Sequence, residues 1–407
     1  MEEIEITSPT TDTTISNVCD DKIERVTLSN ISYDIFFRNF IQLNRAVVVE
    51  GIATDWECFR RWIDWSVIPS KLNVTYLKEI LPNVPVPVAD CGKQRYNSHE
   101  KIERSLFDFL RSWEYDETNG DGSSMPEVQR NRYYLKDWHL RSECPKYNFY
   151  RTPALFASDW LNEYLVETGS DDYRFVYIGP KGTWTAFHAD VFGSYSWSVN
   201  IFGQKQWYLL PPGEEQKLLN SLRNLPFSIT KQSLQDAGVS FFSILQQPGE
   251  AIFVPSGWYH QVTNVEDAIS VNHNWFNGCN VMTIWSNLRE ALGDVQREID
   301  DCRDMDNFDE HCQVMLKASF GMDYADFLAI IQHVCDKRLR SLKDGKHVEQ
   351  IDSYVLGRNH VMYDLITVRE LLTEMMKSKS LANYPDLNDL ALACLQRITS
   401  ANIDNID

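Results

Sequence analysis

The sequence lacks the features of a secreted, membrane-spanning or zinc-stabilised protein. Its 407 residues include nine cysteines, an odd number, and no two of them form a C-x-x-C pair. Such scattered cysteines predict free thiols in a reducing compartment, and they lack the ligand spacing of a zinc finger. No run of 18 apolar residues occurs, so no membrane span is expected. The first residues, MEEIEITSPTT, show neither the basic nor the apolar segment of a secretory signal.

Positive charge is also scarce. There are 39 Lys and Arg residues against 58 Asp and Glu residues, which gives a formal net charge of -19. Nucleic acids select basic surfaces, so strong direct binding to them is not expected. Two interpretations of the acidic excess stay open: it favours a basic protein partner, or it only keeps the protein in solution. We therefore expect a cytoplasmic protein, with the nucleus as a second compartment.

The chain divides into three parts by residue composition and hydrophobic pattern. Residues 1–21 are acidic and rich in Ser and Thr, which predicts a disordered tail. Residues 22–280 contain short β-rich runs broken by Gly and Pro, such as YRFVYIGPKG and AIFVPSGWYH, a series typical of a sandwich or barrel. Residues 281–407 show helical periodicity, and Asn280 is a candidate cap for the first helix. The predicted fold class is α+β with a mainly β core and a C-terminal helical region.

A histidine and an aspartate stand two residues apart in the β-rich run TAFHADVF. Side chains at positions i and i+2 of a strand leave the same face, so His188 and Asp190 should converge on one point. The best third ligand is His260, because the pattern PGEAIFVPSGWYH predicts a strand that carries one histidine at its far end. The 70 residues between Asp190 and His260 allow that strand to return beside the first.

These three residue types favour iron over zinc. Two histidines and one carboxylate form the facial triad of non-haem Fe(II) oxygenases, which leaves coordination positions open for a co-substrate and O₂. A structural zinc site uses four protein ligands and usually more sulfur. The H-x-D pair is a weak signal by itself, since a lone strand histidine is more often an ordinary hydrogen-bonded residue.

Four segments together resemble the Jumonji-C (JmjC) family of 2-oxoglutarate-dependent oxygenases. They are YYLKDWHL, YIGPKGTWTAFHAD, SYSWSVNIFGQKQWYLLPP and PGEAIFVPSGWYHQVTNVEDAISVNHNW, within about residues 133–276. The fold that this resemblance implies is a double-stranded β-helix, a cupin-like jelly roll, with flanking helices. It also implies that His188, Asp190 and His260 bind Fe(II), and that 2-oxoglutarate and O₂ are co-substrates.

The resemblance further implies residues that hold 2-oxoglutarate. Lys205 matches the lysine that pairs with the far carboxylate of the co-substrate, and Thr185 and Tyr134 match hydroxyls that assist it. A buried carboxylate needs such charged hydrogen bonds, since burying it unpaired is costly. Each of the three also has a structural alternative, as a turn lysine, a strand threonine or a core tyrosine.

Three further positions near the expected pocket have no single interpretation. Ser198 stands where some small relatives carry an asparagine near the co-substrate, so this contact is open. Asn272 and Asn274, in SVNHNW, either line the pocket or serve as hydrogen-bonding residues of the strand, and Asn272 is the one expected to contact the co-substrate.

The implied activity is protein hydroxylation. The chain has no reader module of a chromatin demethylase, and within the family it is similar to small members that hydroxylate side-chain carbons. One such group hydroxylates a lysine of the eukaryotic translation release factor, so that factor is the expected protein partner and translation termination the expected process. The alternatives are a lysine N-methyl demethylase, a catalytically dead cupin-like scaffold, and an RNA-base hydroxylase, which the acidic charge disfavours.

Overall fold

The computed structural model describes residues 1–10, 22–113 and 132–401. Its strands are, in chain order, β1 (Glu2–Ile4), β2 (Glu24–Thr27), β3 (Val47–Glu50), β4 (Ile63–Asp64), β5 (Lys71–Leu72), β6 (Pro85–Arg95), β7 (Ser98–Ser105), β8 (Tyr133–Trp138), β9 (Arg174–Gly179), β10 (Trp184–His188), β11 (Tyr195–Phe202), β12 (Lys205–Leu210), β13 (Phe242–Gln246), β14 (Ala251–Val254), β15 (Tyr259–Asn264), β16 (Ala268–Trp275), β17 (Val348–Glu349) and β18 (Tyr354–Leu356).

The helices of the described ranges are α1 (Tyr33–Phe36), α2 (Glu57–Arg61), α3 (Val74–Ile80), α4 (Leu106–Arg111), α5 (Leu140–Glu143), α6 (Trp160–Thr168), α7 (Lys231–Asp236), α8 (Val281–Glu298), α9 (Phe308–Phe320), α10 (Tyr324–Asp344), α11 (Arg358–Ser378) and α12 (Pro385–Ser400). Helix α1 continues as a π-helix over Phe37–Ile41. In the part of the chain that is described, no helix is both long and apolar enough to span a bilayer.

Two sheets form the β core. The larger has nine strands in the order β2-β3-β14-β11-β16-β9-β8-β6-β7, and the smaller has four in the order β10-β15-β12-β13. Apolar residues of both sheets form a shared cluster, in which Val48 and Ile252 of the larger sheet join Trp207 and Val262 of the smaller one. This arrangement, with helices outside it, confirms the expected α+β jelly roll.

Strand β11 explains how a polar site fits inside this core. Its burial is nearly continuous because both faces of the sheet are covered. Trp197 and Val199 point to the main hydrophobic core that the helices complete. Ser198 pairs with Ile252 of β14, which faces the smaller sheet, so the serine lies on the inner face. Polar residues therefore line the inner face of this strand and apolar residues its outer face.

The N-terminal segment differs from the predicted disordered tail. Strand β1 pairs in parallel with β18, and Ile4 and Ile6 are buried. The Glu5 carboxylate accepts hydrogen bonds from the backbone N–H groups of Asn359 and His360 at the start of α11, where a helix leaves donors unsatisfied. A three-residue strand has no periodicity, and its partner is about 350 residues away, so composition gave the wrong prediction here. Residues 11–21 lie outside the described residues.

The C-terminal part is mainly helical, with two additions to the prediction. Strands β17 and β18 interrupt the helices and bind the N-terminal strand. Helix α8 begins after Asn280, but the Asn280 side chain does not cap it. That side chain accepts a hydrogen bond from the Asn277 N–H and donates one to Ser256 Oγ. The cysteines in the described ranges are free thiols, as expected.

Candidate metal centre

The sheet register brings two histidines face to face. Strand β10 ends at His188, which lies opposite His260 of β15, and the two ring centroids are 4.3 Å apart. Asp190 lies just beyond the strand in a still extended conformation, with φ -65° and ψ 150°. One potential ligand atom from each of these three residues lies within 4.8 Å of the others. The structure thus brings together the three residues that the sequence analysis selected.

Backbone carbonyls fix which nitrogen of each histidine is free. His188 Nδ1 lies 2.8 Å from the Ala186 carbonyl oxygen, and His260 Nδ1 lies 3.1 Å from the Trp258 carbonyl oxygen. A carbonyl oxygen only accepts hydrogen bonds, so both Nδ1 atoms carry the proton. Each Nε2 is therefore the nitrogen that is left to bind a metal.

Two side chains of the larger sheet orient the carboxylate. Ser196 Oγ donates to Asp190 Oδ2 at 2.7 Å, and Asn274 Nδ2 donates to Oδ1 at 3.0 Å. Such outer hydrogen bonds commonly hold a ligating carboxylate in place. Ser196 and Asn274 are directly opposed on β11 and β16, so the sheet itself delivers this pair.

The charge state of the triad suits a metal. Burial, with smaller contributions from His260 and Lys136, lowers the pKa of His188 to about 4, although Asp190 acts in the opposite direction. The imidazole is therefore neutral near pH 7, as coordination requires. Two imidazole nitrogens and one carboxylate oxygen fit Fe(II), and a triad leaves room for exchangeable ligands.

A buried lysine lies on the same inner face. Lys205 Nζ donates to Asn264 Oδ1 at 2.9 Å and to Tyr134 Oη at 3.1 Å, and the side chain is only 1% exposed. Burial, followed by the charge of Lys136, lowers the pKa of Lys205 to about 7. Both hydrogen-bond acceptors of this ammonium are neutral, and an anionic ligand would stabilise it.

Gly179 makes room for the groups around Lys205. A Cβ at this position would lie 2.6 Å from Asn264 Nδ2 and 2.6 Å from Thr183 Oγ1, closer than real Cβ atoms approach. Asn264 Nδ2 in turn donates to Thr183 Oγ1 at 2.8 Å. The role of Asn264 was not predicted, because its position next to Lys205 follows only from the pairing of β12 with β15.

The remaining predicted residues take different places. A register shift between Thr185 and His188 lets both pair with residues on one face of β15, so Thr185 lies on the triad side. Asn272 lies opposite Ser198 on the inner face, and its amide donates to Ser270 Oγ at 3.1 Å. Of the two asparagines in SVNHNW, Asn274 is the one that contacts the triad.

A second lysine near the site was not predicted. Lys136 lies on β8 two residues after Tyr134, with Nζ 5.9 Å from the Tyr134 ring centroid and 5.5 Å from that of Tyr177. Burial lowers its pKa, although the neighbouring Asp137 raises it. No carboxylate among the described residues forms an ion pair with Lys136. The site therefore contains two ammonium groups, the buried Lys205 and the partly buried Lys136.

Asp137 follows Lys136 with an unusual backbone. Its φ is 56°, in the left-handed region that residues other than Gly seldom adopt. Its carboxylate accepts a hydrogen bond from Tyr177 Oη at 2.5 Å and forms an ion pair with Lys101 at 2.6 Å. Burial opposes ionisation, but Lys136 and Lys101 prevail and lower the pKa of Asp137 to about 2.

Comparisons with known proteins agree with this geometry. Residues 175–275 match the family model described as "JmjC domain, hydroxylase". The chain is 43% identical to the "2-oxoglutarate and iron-dependent oxygenase JMJD4 homolog" of Drosophila melanogaster over 93% of both chains. It is 39% identical to the "2-oxoglutarate and iron-dependent oxygenase JMJD4" of Homo sapiens, over 87% of this chain and 84% of that one. It is 33% identical to the "Arginine-specific demethylase JMJ20" of Arabidopsis thaliana, over 88% of this chain and 80% of the relative.

Proposed function

This chain belongs to the JmjC family of 2-oxoglutarate and iron-dependent oxygenases, and from that premise we propose that it hydroxylates a lysine side-chain carbon in a protein substrate. The substrate we propose is the eukaryotic translation release factor that recognises stop codons. Hydroxylation of that factor would promote translation termination, and it would take place in the cytoplasm.

We assign the metal to the triad. His188 and His260 would bind Fe(II) through their free Nε2 atoms, and Asp190 through a carboxylate oxygen held by Ser196 and Asn274. When bound, iron, 2-oxoglutarate and O₂ supply the oxidising chemistry. The chain's own contribution is to fix the tautomers of the histidines and the direction of the carboxylate before the ligands arrive.

We assign the far carboxylate of 2-oxoglutarate to Lys205 and Tyr134, with Thr185 on the path between them and the triad. The Lys205 ammonium already donates to Tyr134 Oη and Asn264, and it forms no ion pair with any residue that the structure describes. A dicarboxylate that reaches from the metal to Lys205 would give this ammonium its counterion. The pocket would thereby select for a dicarboxylate of fitting length.

The observation that favours carbon hydroxylation over N-demethylation is the ammonium of Lys136 near the triad. A demethylase must bring an N-methyl carbon, and with it a positive nitrogen, next to the metal. The charge of Lys136 acts on His188, and this lysine forms no ion pair among the described residues, so it would disfavour a second cation beside the metal. A neutral methylene of an extended lysine avoids this repulsion.

Demethylation remains the second candidate, because the 33% identical plant relative is named an arginine-specific demethylase. A 25% identical relative from Caenorhabditis briggsae is named "Bifunctional arginine demethylase and lysyl-hydroxylase psr-1". A scaffold without activity is disfavoured by the three metal-binding residue types and the buried lysine, which are all present.

One assay distinguishes these functions. The purified protein, with Fe(II) and 2-oxoglutarate, is offered the unmethylated release factor and, separately, methyl-lysine and methyl-arginine histone peptides. The proposal expects +16 Da on a release-factor lysine, which the Asp190→Ala variant should not produce. Formaldehyde from a methylated peptide, with an unmodified release factor, would replace the proposal by demethylation.

A further inference from the structure

We infer that the carboxylate of Asp137 is the receptor for the cationic group of the substrate side chain, and that Lys101 occupies this receptor in the free protein. The inference rests on the proposed lysine substrate and names the residue that would recognise it. Asp137 was not predicted as a site residue.

The carboxylate of Asp137 is connected to the inner face of the sheet. Tyr177, which donates to it, lies on β9 opposite Ser270 of β16, and Ser270 shares its face with Asn272. The Tyr177 ring also contacts the Tyr134 ring edge-on, with centroids 5.8 Å apart. Asp137, on β8, is therefore separated from the pocket that contains Lys205 by one side chain, that of Tyr177.

The backbone of Asp137 is strained, although an ordinary ion pair could form without such strain. A left-handed conformation costs a non-glycine residue about 1–2 kcal/mol. It coincides with a register shift between β8 and β9 that lies between Leu135 and Trp138. In an unshifted strand, Asp137 would point to the face opposite Lys136. The shift and the positive φ let adjacent residues both reach Tyr177, one with an ammonium and one with a carboxylate.

The partner of Asp137 is easy to displace. Lys101 lies on β7, the edge strand of the sheet, and its side chain is 54% exposed, whereas that of Asp137 is 28% exposed. Exposed ion pairs contribute only about 0–1 kcal/mol. The ammonium of Lys101 has the same chemistry as that of a substrate lysine, so an entering lysine can replace it without leaving Asp137 unpaired.

A second ion pair on the same sheet shows what a structural pair looks like. Asp90 of β6 binds Arg132 through two hydrogen bonds of 2.6 and 2.5 Å and also accepts the Gly92 N–H. It is 3% exposed, and it pairs with Tyr133 rather than with the inward-facing Tyr134. Asp90 therefore lies on the opposite face, with a bidentate partner that does not resemble a lysine.

Lys136 complements the receptor. It lies next to Asp137 in sequence and contacts the same Tyr177 ring, so the cavity offers a negative group at Asp137 and a positive group beside it. A cationic side chain would be held at the carboxylate and repelled from Lys136. Its aliphatic part, rather than its nitrogen, would then lie toward the metal.

The test uses a probe whose position can be measured without turnover. The protein is loaded anaerobically with Mn(II) and 2-oxoglutarate and mixed with Nα-acetyl-lysine N-methylamide or with the uncharged norleucine analogue. Mn(II) accelerates the relaxation of nearby probe protons. We expect a stronger effect on the lysine probe than on the norleucine probe, and the methylene next to nitrogen should be less affected than the inner methylenes.

Three variants distinguish a receptor role of Asp137 from a purely structural ion pair between Asp137 and Lys101. Asp137→Asn should reduce the preference for the lysine probe by about tenfold or more, as expected for a lost charged hydrogen bond. Lys101→Met should increase binding of the lysine probe, because the internal competitor is removed. Asp90→Asn is the matched control and should leave the preference unchanged.

Two results would overturn the inference. One is an Asp137→Asn protein that still prefers the lysine probe as the wild type does. The other is a Lys101→Met protein that no longer binds the lysine probe, because a structural clamp needs both partners. This second result would decide the question even if Asp137→Asn failed to fold. The proposed function is tested separately. If the release factor stays unmodified while Asp137→Asn still reduces the preference for the lysine probe, the proposed substrate is refuted but the role of Asp137 as receptor is not.

Discussion

Two clusters of buried polar groups can be compared in this molecule. One is the candidate centre between the two sheets. The other, the helix junction, lies where the C-terminal helices pack on α6. In the second cluster, Arg338 of α10 donates to Glu163 at 2.5 Å and to Asp364 of α11 at 2.9 Å. Lys337 adds an ion pair to Glu163 at 2.8 Å. Arg338, Glu163 and Asp364 are each at most 1% exposed.

The clusters differ in how their charges are balanced. At the helix junction the cations Arg338 and Lys337 each pair with carboxylates of the protein, and Lys337 also pairs with Glu167. In the candidate centre, Lys205 and Lys136 have no ion-pair partner among the described residues, and the Nδ1 contacts of two imidazoles leave both Nε2 atoms to bind a metal. A cluster that its own residues neutralise indicates a structural role, and one that needs an added metal and anion indicates a binding site.

The largest expected effect comes from removing the triad. His188→Ala, Asp190→Ala or His260→Ala should reduce 2-oxoglutarate turnover to background, because each removes a proposed metal ligand. Succinate release and bound iron are measured together, and circular dichroism should show that the fold persists. Full activity in all three variants would refute the assignment of the metal to this cluster.

The helix junction should respond in the opposite way. Arg338→Met leaves two buried carboxylates without their main partner, so we expect a loss of about 3–5 kcal/mol in the free energy of unfolding. Urea unfolding measures this loss. The 2-oxoglutarate affinity of the folded fraction should stay as in the wild type. An Arg338→Met protein of normal stability but lower co-substrate affinity would break the distinction between the clusters.

The sequence predicted the part of the centre that rests on local pattern or family motif. The β-rich texture and the H-x-D spacing led to the jelly roll and to the three converging residues. Asn264 and Ser196 were missed, because their roles depend on which strands pair and in which register. Lys136 and Asp137 were missed because their approach to Tyr177 depends on a register shift and a positive φ, which single-sequence patterns do not encode.

The carboxylate supports should have an intermediate effect. Ser196→Ala and Asn274→Ala each free one oxygen of Asp190, and the loss of such an outer contact typically costs 10–100-fold in metal affinity. Mn(II) titration measures this change. Ser198→Ala is the control on the same face of β11, and its effect should be clearly smaller. Equal effects at all three positions would mean that Asp190 needs no specific support.

The smallest expected effect is a pH dependence of co-substrate binding. The pKa of Lys205 is about 7 in the free protein, and a bound carboxylate would raise it, so binding takes up a proton above pH 7. The affinity for 2-oxoglutarate should be constant below pH 7 and fall by up to about tenfold per pH unit above it. Calorimetry in two buffers measures the proton uptake. Lys205→Met should abolish this uptake, and its persistence would assign it to another group.

The most direct test of the distinction is a single thermal unfolding experiment with Mn(II) and 2-oxoglutarate added together. A ligand at 100 times its dissociation constant stabilises the folded state by about 2.7 kcal/mol. The midpoint should rise in the wild type and, by a similar amount, in Arg338→Met, but not in His260→Ala. A rise in His260→Ala equal to that of the wild type would contradict the account, because the metal and co-substrate would then bind elsewhere.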